Sequence, residues 1–448
     1  MTTRRAFLSS AAAWPLSVVA ARGTARAQAG DYARLRVDAP ALRQHLEGLS
    51  VFGRRGGGAF ADGVTRLGYS QADVEGRAFV MGKLRAAGLA PRIDAAGNIF
   101  ARRAGGEPSR PPILFGSHID SVTGGGNFDG DLGSLAALEV VRALDAAGAR
   151  TRHPLEMVIW ANEEGGAYQP SLGGSRLAVG EMGEGELDVV VDGVSKRDAI
   201  ARIGGDVAKL AESRVQPGAY AAYVELHIEQ GGNLDRERIA IGVVEGIVTV
   251  DRYEVTIEGF ANHAGTTPMA ERSDALLAAA HLTIAVNEVV RGEQGRQVGT
   301  VGRLQVSPNA PNVIPGRVVH TVELRDLSYQ KLVMLADRIQ ARAREIAVAT
   351  KTTIGFRRIN HNEGATADPR VQQAVERAAD ALGLSRVRMP SGAGHDAQMA
   401  ARVCPMGMIF VPSVGGISHS PKELTRWEDC AHGANALLHA VLALDGAG

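Results

Sequence analysis

Residues 111–133, PPILFGSHIDSVTGGGNFDGDLG, leave the chain few ways to fold. A short apolar run ends in His-x-Asp, a glycine-rich loop follows, and Phe-Asp-Gly opens an apolar helix. The run at 113–116 is continuous rather than alternating, the pattern of a strand covered on both faces. His118 follows it, and Asp129 lies eleven residues further on, across a segment that must turn sharply. Bringing such side chains together at the end of a strand is a way to build a metal site.

The same strand-then-helix pattern recurs. Residues 39–49 read as a helix. Ser70-Gln71-Ala72-Asp73 reads as a capping box opening a second helix, which Gly88 stops. Ile93 and residues 98–101 pair around an Ala96-Gly97 turn. Residues 132–147 form a helix with an almost continuous apolar face. Residues 155–161 are another buried strand, ending in Asn162-Glu163-Glu164-Gly165. Residues 223–230 alternate strictly, with Val224, Leu226 and Ile228 on one face and Glu225, His227 and Glu229 on the other. Three ionisable groups on a core strand need partners. This alternation predicts an α/β fold with a largely parallel, doubly covered sheet, whose ligands gather beyond the carboxyl ends of its strands.

After Gly246 the pattern changes. Strands at 250–257, 299–306, 317–324 and 352–357 and helices at 275–290 and 328–347 follow in β-α-β-β-α-β order, a ferredoxin-like unit. It reads as a smaller α+β domain, residues 246–357, inserted into a catalytic domain formed by 30–245 and 358–448. The last segment ends on a helix at 431–444.

The N-terminus stands apart. Arg4-Arg5 precedes a modestly apolar run at 6–21, and Ala25-Arg26-Ala27 offers a cleavage site. Residues 1–29 resemble a twin-arginine signal peptide, so the mature chain is expected as a soluble protein of the periplasm. The run is shorter than the ~20 apolar residues that span a bilayer, and no later stretch is long and apolar enough to do so. A formal net charge of zero argues against a broad electrostatic grip on nucleic acid or anionic lipid. The two cysteines, Cys404 and Cys430, can pair in an oxidising compartment; the apolar run beside Cys404 favours a buried thiol instead.

Five positions make a coherent metal list: His118, Asp129, Glu164, His227 and His419. Their nitrogen and oxygen donors suit zinc, manganese, cobalt or nickel rather than calcium or magnesium. They suffice for two divalent ions if Asp129 bridges. Asp120, two residues after His118, is placed to accept the ring N–H of a ligating histidine. Glu163 points away from Glu164 and reads as the general base acting on a water at the metals. Taken singly, each has a plainer reading: a hydrogen-bonded core histidine, a solvated glutamate pair, an aspartate in a turn.

The motifs GVTRLGYS, GSHID, NFDGDLG, NEEGG, LHIEQG, ANHAGTTPM, GTVG, PNVIPG, ELRD, SGAGHDA and GMIFVPSVGGISHSP, in this order across residues 45–425, resemble the dinuclear-metal amidohydrolase and peptidase family of aminoacylases and bacterial dipeptidases. LHIEQG and HAGTTPM point to its branch of N-carbamoyl-L-amino-acid hydrolase, allantoate amidohydrolase and β-ureidopropionase. The resemblance implies that His118 and His419 are terminal ligands, that Asp129 bridges, and that Glu164 and His227 complete the set. It makes Glu163 the acid/base and Gln230 a substrate contact. It implies that the inserted domain is a dimerisation and lid domain whose His263 enters the partner's cleft to stabilise the oxyanion. Asn312 and Arg325 would hold a substrate carboxylate, with the 391–393 loop lining the site. Without the resemblance, Arg325 reads as an exposed strand residue with a surface ion pair, and His263 as a loop histidine.

The sequence departs from the family pattern at Ser121, usually Thr; at Asp131, often Pro; at Tyr168, commonly Phe; and at ELRD, where DIRD is frequent. Asp131 and the 166–174 loop are expected to alter the substrate pocket. The expected reaction is hydrolysis of a linear amide or ureido C–N bond beside a carboxylate. The alternatives are a dipeptidase or aminoacylase on the same scaffold, and a metal-loaded binding protein without turnover.

Overall fold

A computed structural model describes residues 32–446; the expected signal peptide and its cleavage site lie outside them. Helix α1 (Ala39–Leu49) is capped by Asp38, whose carboxylate accepts the Ala41 N–H, and it buries Leu42, Leu46 and Leu49. At α2 (Gln71–Ala86) the Ser70 hydroxyl accepts the Asp73 N–H, but Asp73 reaches back to the N–H of Tyr69 rather than Ser70. Strands β1 (Arg92–Ile93) and β2 (Ile99–Arg103) pair around Gly97. Then come β3 (Ile113–His118), α3 (Asp131–Ala146), β4 (Leu155–Trp160) and α4 (Gly173–Ala178). A small hairpin, β5 (Val190–Val191) and β6 (Val194–Ser195), leads to α5 (Lys196–Arg202) and then to β7 (Ala222–Ile228).

The large sheet has the order β1-β2-β4-β3-β7-β15-β8-β13, with β14 beside β8. Its added members are β8 (Ile241–Ile247), β13 (Ala365–Thr366), β14 (Arg386–Ser391) and β15 (Met406–Val411). Strands β4, β3, β7 and β15 are parallel neighbours, whereas β2 against β4 and β15 against β8 are antiparallel. The sheet is therefore mixed, with a parallel centre, rather than largely parallel throughout. Both faces are covered, as expected. Phe115, Met157, Leu226 and Ile409 enter one core, shared with α1, α3, α9 (Pro369–Ala381) and α11 (Trp427–Asp445). Leu114, Trp160, Tyr223 and Phe410 enter the core on the other face, close to α10 (Asp396–Ala400). Cys430 lies in the first core and Cys404 in the second, so the two thiols are buried and unpaired.

Between β8 and β13 the chain builds a second sheet. It comprises β9 (Thr249–Glu258), β10 (Val298–Ser307), β11 (Arg317–Asp326) and β12 (Thr353–Asn362), in the order β10-β11-β9-β12, antiparallel throughout. Helices α7 (Ala275–Gly292) and α8 (Tyr329–Thr350) share a third core with it, around Val255, Leu282, Val322 and Leu335. (The short α6, Asn233–Glu237, precedes β8.) This is the ferredoxin-like order read from the sequence. Contrary to the expectation for the chain beyond its N-terminus, α7 is long and apolar enough to cross a membrane, with mean hydropathy 1.2. Its Ala278, Leu282 and Val286 are committed to the third core, while Leu276, Leu277 and Ile284 are exposed.

Candidate metal centre

The parallel centre of the large sheet delivers its chemistry to one edge. His118 ends β3, Glu163 and Glu164 follow β4, His227 sits near the end of β7, and His419 follows β15. Asp129 comes from the turn that opens α3. Gly130 makes this turn possible: its φ is 68°, and a Cβ there would lie 2.4 Å from the His118 ring.

Two sets of ligand atoms result, His118–Asp129–His227 and Asp129–Glu164–His419, each with its atoms within 4.8 Å of one another. Asp129 belongs to both. Its Oδ1 lies 3.0 Å from His227 Nε2 and 3.6 Å from His118 Nε2, while Oδ2 lies 3.5 Å from His419 Nε2. Glu164 Oε1 is 3.4 Å from the same His419 nitrogen. The imidazole of His118 has Nδ1 3.0 Å from the Asp120 carbonyl, and that of His227 has Nδ1 2.9 Å from the Ile228 carbonyl. Donation by Nδ1 to these carbonyls turns both Nε2 lone pairs toward Asp129.

These residues fit a pair of divalent cations. His227 Nε2 and Glu164 Oε1 are buried without a hydrogen-bond partner, a state that costs about 1–3 kcal/mol per group when nothing compensates. Cations on the two ligand sets remove that cost, and the donors are all imidazole nitrogen or carboxylate oxygen, a set for zinc-like ions. Burial alone would raise the Asp129 carboxyl, but His227, His118 and His419 outweigh it and hold its pKa well below the carboxylate range. Glu163 has no such compensation: burial, helped by Asp396 and Glu164, pushes its pKa well above normal despite His118.

Residues 114–443 match the sequence profile of peptidase family M20/M25/M40. The chain belongs to this family. This M20 chain is 40% identical over 404 residues to an N-carbamoyl-L-amino acid amidohydrolase of Geobacillus stearothermophilus, spanning 90% of this chain and 98% of the relative. It is 38% identical to a ureidoglycolate hydrolase of Arabidopsis thaliana, over 92% of this chain and 88% of that one. A hydantoinase/carbamoylase family amidase from Burkholderia multivorans has the same fold, with TM-score 0.83, 36% identity, and coverage of 92% and 98%.

Within this M20 centre, one residue does not sit as the sequence predicts. The Asp120 carboxylate is not on the His118 ring, being 3.7 Å from Nδ1. Its two oxygens accept the backbone N–H groups of Glu163 and Glu164, at 3.0 and 3.1 Å. Asp120 therefore aims the glutamate pair, and its carbonyl rather than its side chain meets the imidazole. Gln230 adopts φ 59° just beyond β7, and its amide donates to Asp129 Oδ2 at 2.7 Å. Its Oε1 is buried and unpartnered.

His263 and Asn312 lie exposed on the smaller unit and share no hydrogen bond or ion pair with the metal ligands. The loops carrying them are zipped together, the Ala264 N–H bonding the Asn312 carbonyl at 3.0 Å. His263 Nδ1 accepts the N–H groups of Gly265 and Thr266, at 3.0 and 3.2 Å, which places the ring proton on Nε2. Arg325 is half-buried between Glu323 and the large unit. Its Nε donates to Glu323 Oε1 at 2.8 Å and its Nη1 to the Gly392 carbonyl at 2.6 Å. The surface ion pair expected of the bare sequence is thus present, and so is a contact with the 391–393 loop.

Sequence reasoning missed several polar residues around the centre. His395 packs its ring against His227, with centroids 4.5 Å apart, and its Nε2 pairs with Ser391 Oγ. Glu225, expected from the alternation to need partners, is fully buried and accepts the Ser117 hydroxyl at 2.7 Å and the Ala397 N–H at 3.0 Å. Glu423 accepts the Asp129 backbone N–H, and the Ser418 hydroxyl donates to the Asp129 carboxylate. Ser391 and His395 lie inside SGAGHDA, Ser418 lies inside GISHSP, and Glu423 follows two residues after that motif. Tyr168 is buried against Tyr69 and donates its hydroxyl to the Val194 carbonyl.

Proposed function

We propose that this chain is a two-metal amidohydrolase that cleaves the carbamoyl C–N bond of N-carbamoyl-L-amino acids or closely related ureides. One observation carries the reading: Asp129 is shared by two complete ligand sets, with Glu163 Oε2 only 3.8 Å from His118 Nε2. The names of the relatives support the substrate class. The ions, zinc in the first instance with manganese, cobalt or nickel as alternatives, supply Lewis acidity at the carbonyl and the attacking water.

The chain's own residues do the rest. Glu163 takes a proton from the attacking water as it adds to the carbonyl carbon. Its raised pKa, due to burial, lets it keep that proton until the C–N bond breaks and then deliver it to the leaving nitrogen. Asp120 fixes the backbone from which Glu163 acts. The free Oε1 of Gln230 is available to accept a substrate N–H. His263, carrying its proton on Nε2, stabilises the developing oxyanion from a second subunit. Arg325 and Asn312 take the substrate carboxylate, Arg325 exchanging its Gly392 contact for a bidentate fork. Cleavage leaves one amine and a carbamic acid, which decomposes to carbon dioxide and the second amine, so the final products are the amino acid, carbon dioxide and ammonia.

On this reading residues 246–357 form a dimerisation and lid domain. The exposed apolar face of α7 at Leu276, Leu277 and Ile284 supports it. Export to the periplasm through residues 1–29 is part of the same proposal and rests on the sequence alone. A substrate panel on the metal-loaded protein tests the activity: N-carbamoyl, N-acyl and dipeptide substrates compared at equal concentration. Preference for N-carbamoyl substrates is expected; faster cleavage of the N-acyl or dipeptide series overturns it.

A further inference from the structure

His419 is the ligand with least support from the scaffold. Its side chain is 49% exposed, on a loop well past the end of β15, with φ at 53°. The other members of the two ligand sets are nearly solvent-free. Something must hold this loop against the turn that carries Asp129.

The buried carboxylate of Glu423 does so. One oxygen, Oε1, accepts the backbone N–H groups of both Phe128 and Asp129 at 3.0 Å. The other, Oε2, lies 2.9 Å from Ser418 Oγ, next door to His419, and that hydroxyl is also 3.0 Å from Asp129 Oδ2. The Glu423 N–H bonds the Ser420 carbonyl at 3.0 Å, closing residues 420–423 into a turn, and the Val414 N–H bonds the Leu424 carbonyl at 2.8 Å, tying the base of the loop. Gly126 leaves the room required, since a Cβ there would lie 2.1 Å from the Glu423 carboxylate. Nothing comparable links Glu423 to His118 or His227.

We propose that Glu423 is a positioning residue that sets His419 relative to Asp129 and so completes the second ligand set, Asp129–Glu164–His419, while leaving the first intact. The proposal rests on the two-metal reading above. Outer hydrogen-bond partners of metal ligands commonly change affinity by about 10–100-fold when removed, and here the loss should fall on one ion of the two.

The test is metal stoichiometry and affinity on the full chain, stripped and titrated with zinc, read by calorimetry and elemental analysis. The parent should take up two equivalents. Glu423→Ala should keep one at parental affinity and bind the second at least about tenfold more weakly. Glu423→Gln, whose amide oxygen still accepts both backbone N–H groups, should retain two. A folded Glu423→Ala that binds both ions as the parent does, even with a lowered unfolding midpoint, overturns the proposal, as does one that loses both. If Glu423→Ala does not fold, Ser418→Ala deletes only the hydroxyl link. Selective weakening of the second ion then supports the proposal, and two unchanged affinities overturn it. A single equivalent on the parent overturns the two-metal reading and this inference with it.

Discussion

The guanidinium of Arg66 and the carboxylate of Asp131 meet in the solvent-free interior, Nη2 lying 2.7 Å from Oδ1 and 2.5 Å from Oδ2. The other three donors are also used. Nε bonds the Ile119 carbonyl at 2.6 Å, and Nη1 bonds those of Leu49 and Phe52 at 3.2 and 2.8 Å. All five N–H groups are thereby satisfied. The pair ties the end of α1, the segment after His118 and the first residue of α3 into one block. Asp131 is thus a structural residue and not the addition to the substrate pocket that its sequence position suggested. Burial raises its pKa to about 6 even with Arg66 beside it.

Asp131→Ala should therefore destabilise the chain by about 3–5 kcal/mol, because it strands a buried cation. The double variant Arg66→Met with Asp131→Leu should recover part of that loss. Recovery stays incomplete because the Ile119 and Phe52 carbonyls lose their donor, while the Leu49 carbonyl keeps the Phe52 N–H. Urea unfolding of the parent, single and double variants measures both; a loss below about 1 kcal/mol for Asp131→Ala contradicts the assignment.

Glu163→Gln keeps the backbone N–H that Asp120 holds and removes only the proton acceptor. Turnover should fall about 10²–10⁴-fold, with both metal equivalents retained by elemental analysis. Loss of metal would place Glu163 among the ligands instead. Near-parental turnover would remove it from the chemistry.

Much of this centre was legible because His118 and the Glu163–Glu164 pair follow continuous apolar runs and His227 stands on an alternating one, and a parallel sheet centre brings such strand ends together. What escaped had physical reasons. Alternation places i and i+2 on one side only within a strand, and β3 stops at His118, so Asp120 already lies beyond it in irregular chain. Gln230 lies beyond β7 at positive φ, so strand alternation does not fix where its side chain points. The β8 segment, IGVVEGI, carries two glycines and a glutamate that hide a core strand. Strand direction was misjudged at the flanks, since an apolar run records burial but not which neighbour it meets. Arg66 and Asp131 are 65 residues apart, and no local pattern pairs them.

His320 on β11 should make stability depend on pH. It is fully buried in the smaller unit, neither ring nitrogen has a hydrogen-bond partner, and burial lowers its pKa to about 4. The unfolded chain, with an ordinary histidine near 6.5, binds the proton first as pH falls. The stability contributed by the neutral imidazole is therefore complete above about 6.5 and is lost progressively down to about 4, for a total of ~3 kcal/mol. Denaturant unfolding at pH 7 and 4.5 should show a smaller loss in His320→Leu than in the parent. Equal losses would mean that the ring is solvated or partnered in solution.

Mixing two inactive variants tests whether His263 acts across a dimer. Its exposed ring is anchored through Nδ1 by the Gly265 and Thr266 N–H groups, which leaves Nε2–H facing outward. Suppose Glu163→Gln and His263→Ala are each inactive, and their subunits are exchanged at equal concentration. If His263 serves the neighbouring subunit, each heterodimer contains one site with both residues intact. The random mixture should then regain about a quarter of parental activity, as expected for a two-fold assembly with half of its dimers mixed and one working site in each. If His263 serves its own subunit, every site in the mixture lacks one of the two residues. Exchange confirmed by mass spectrometry without any regained activity would then assign His263 to its own chain.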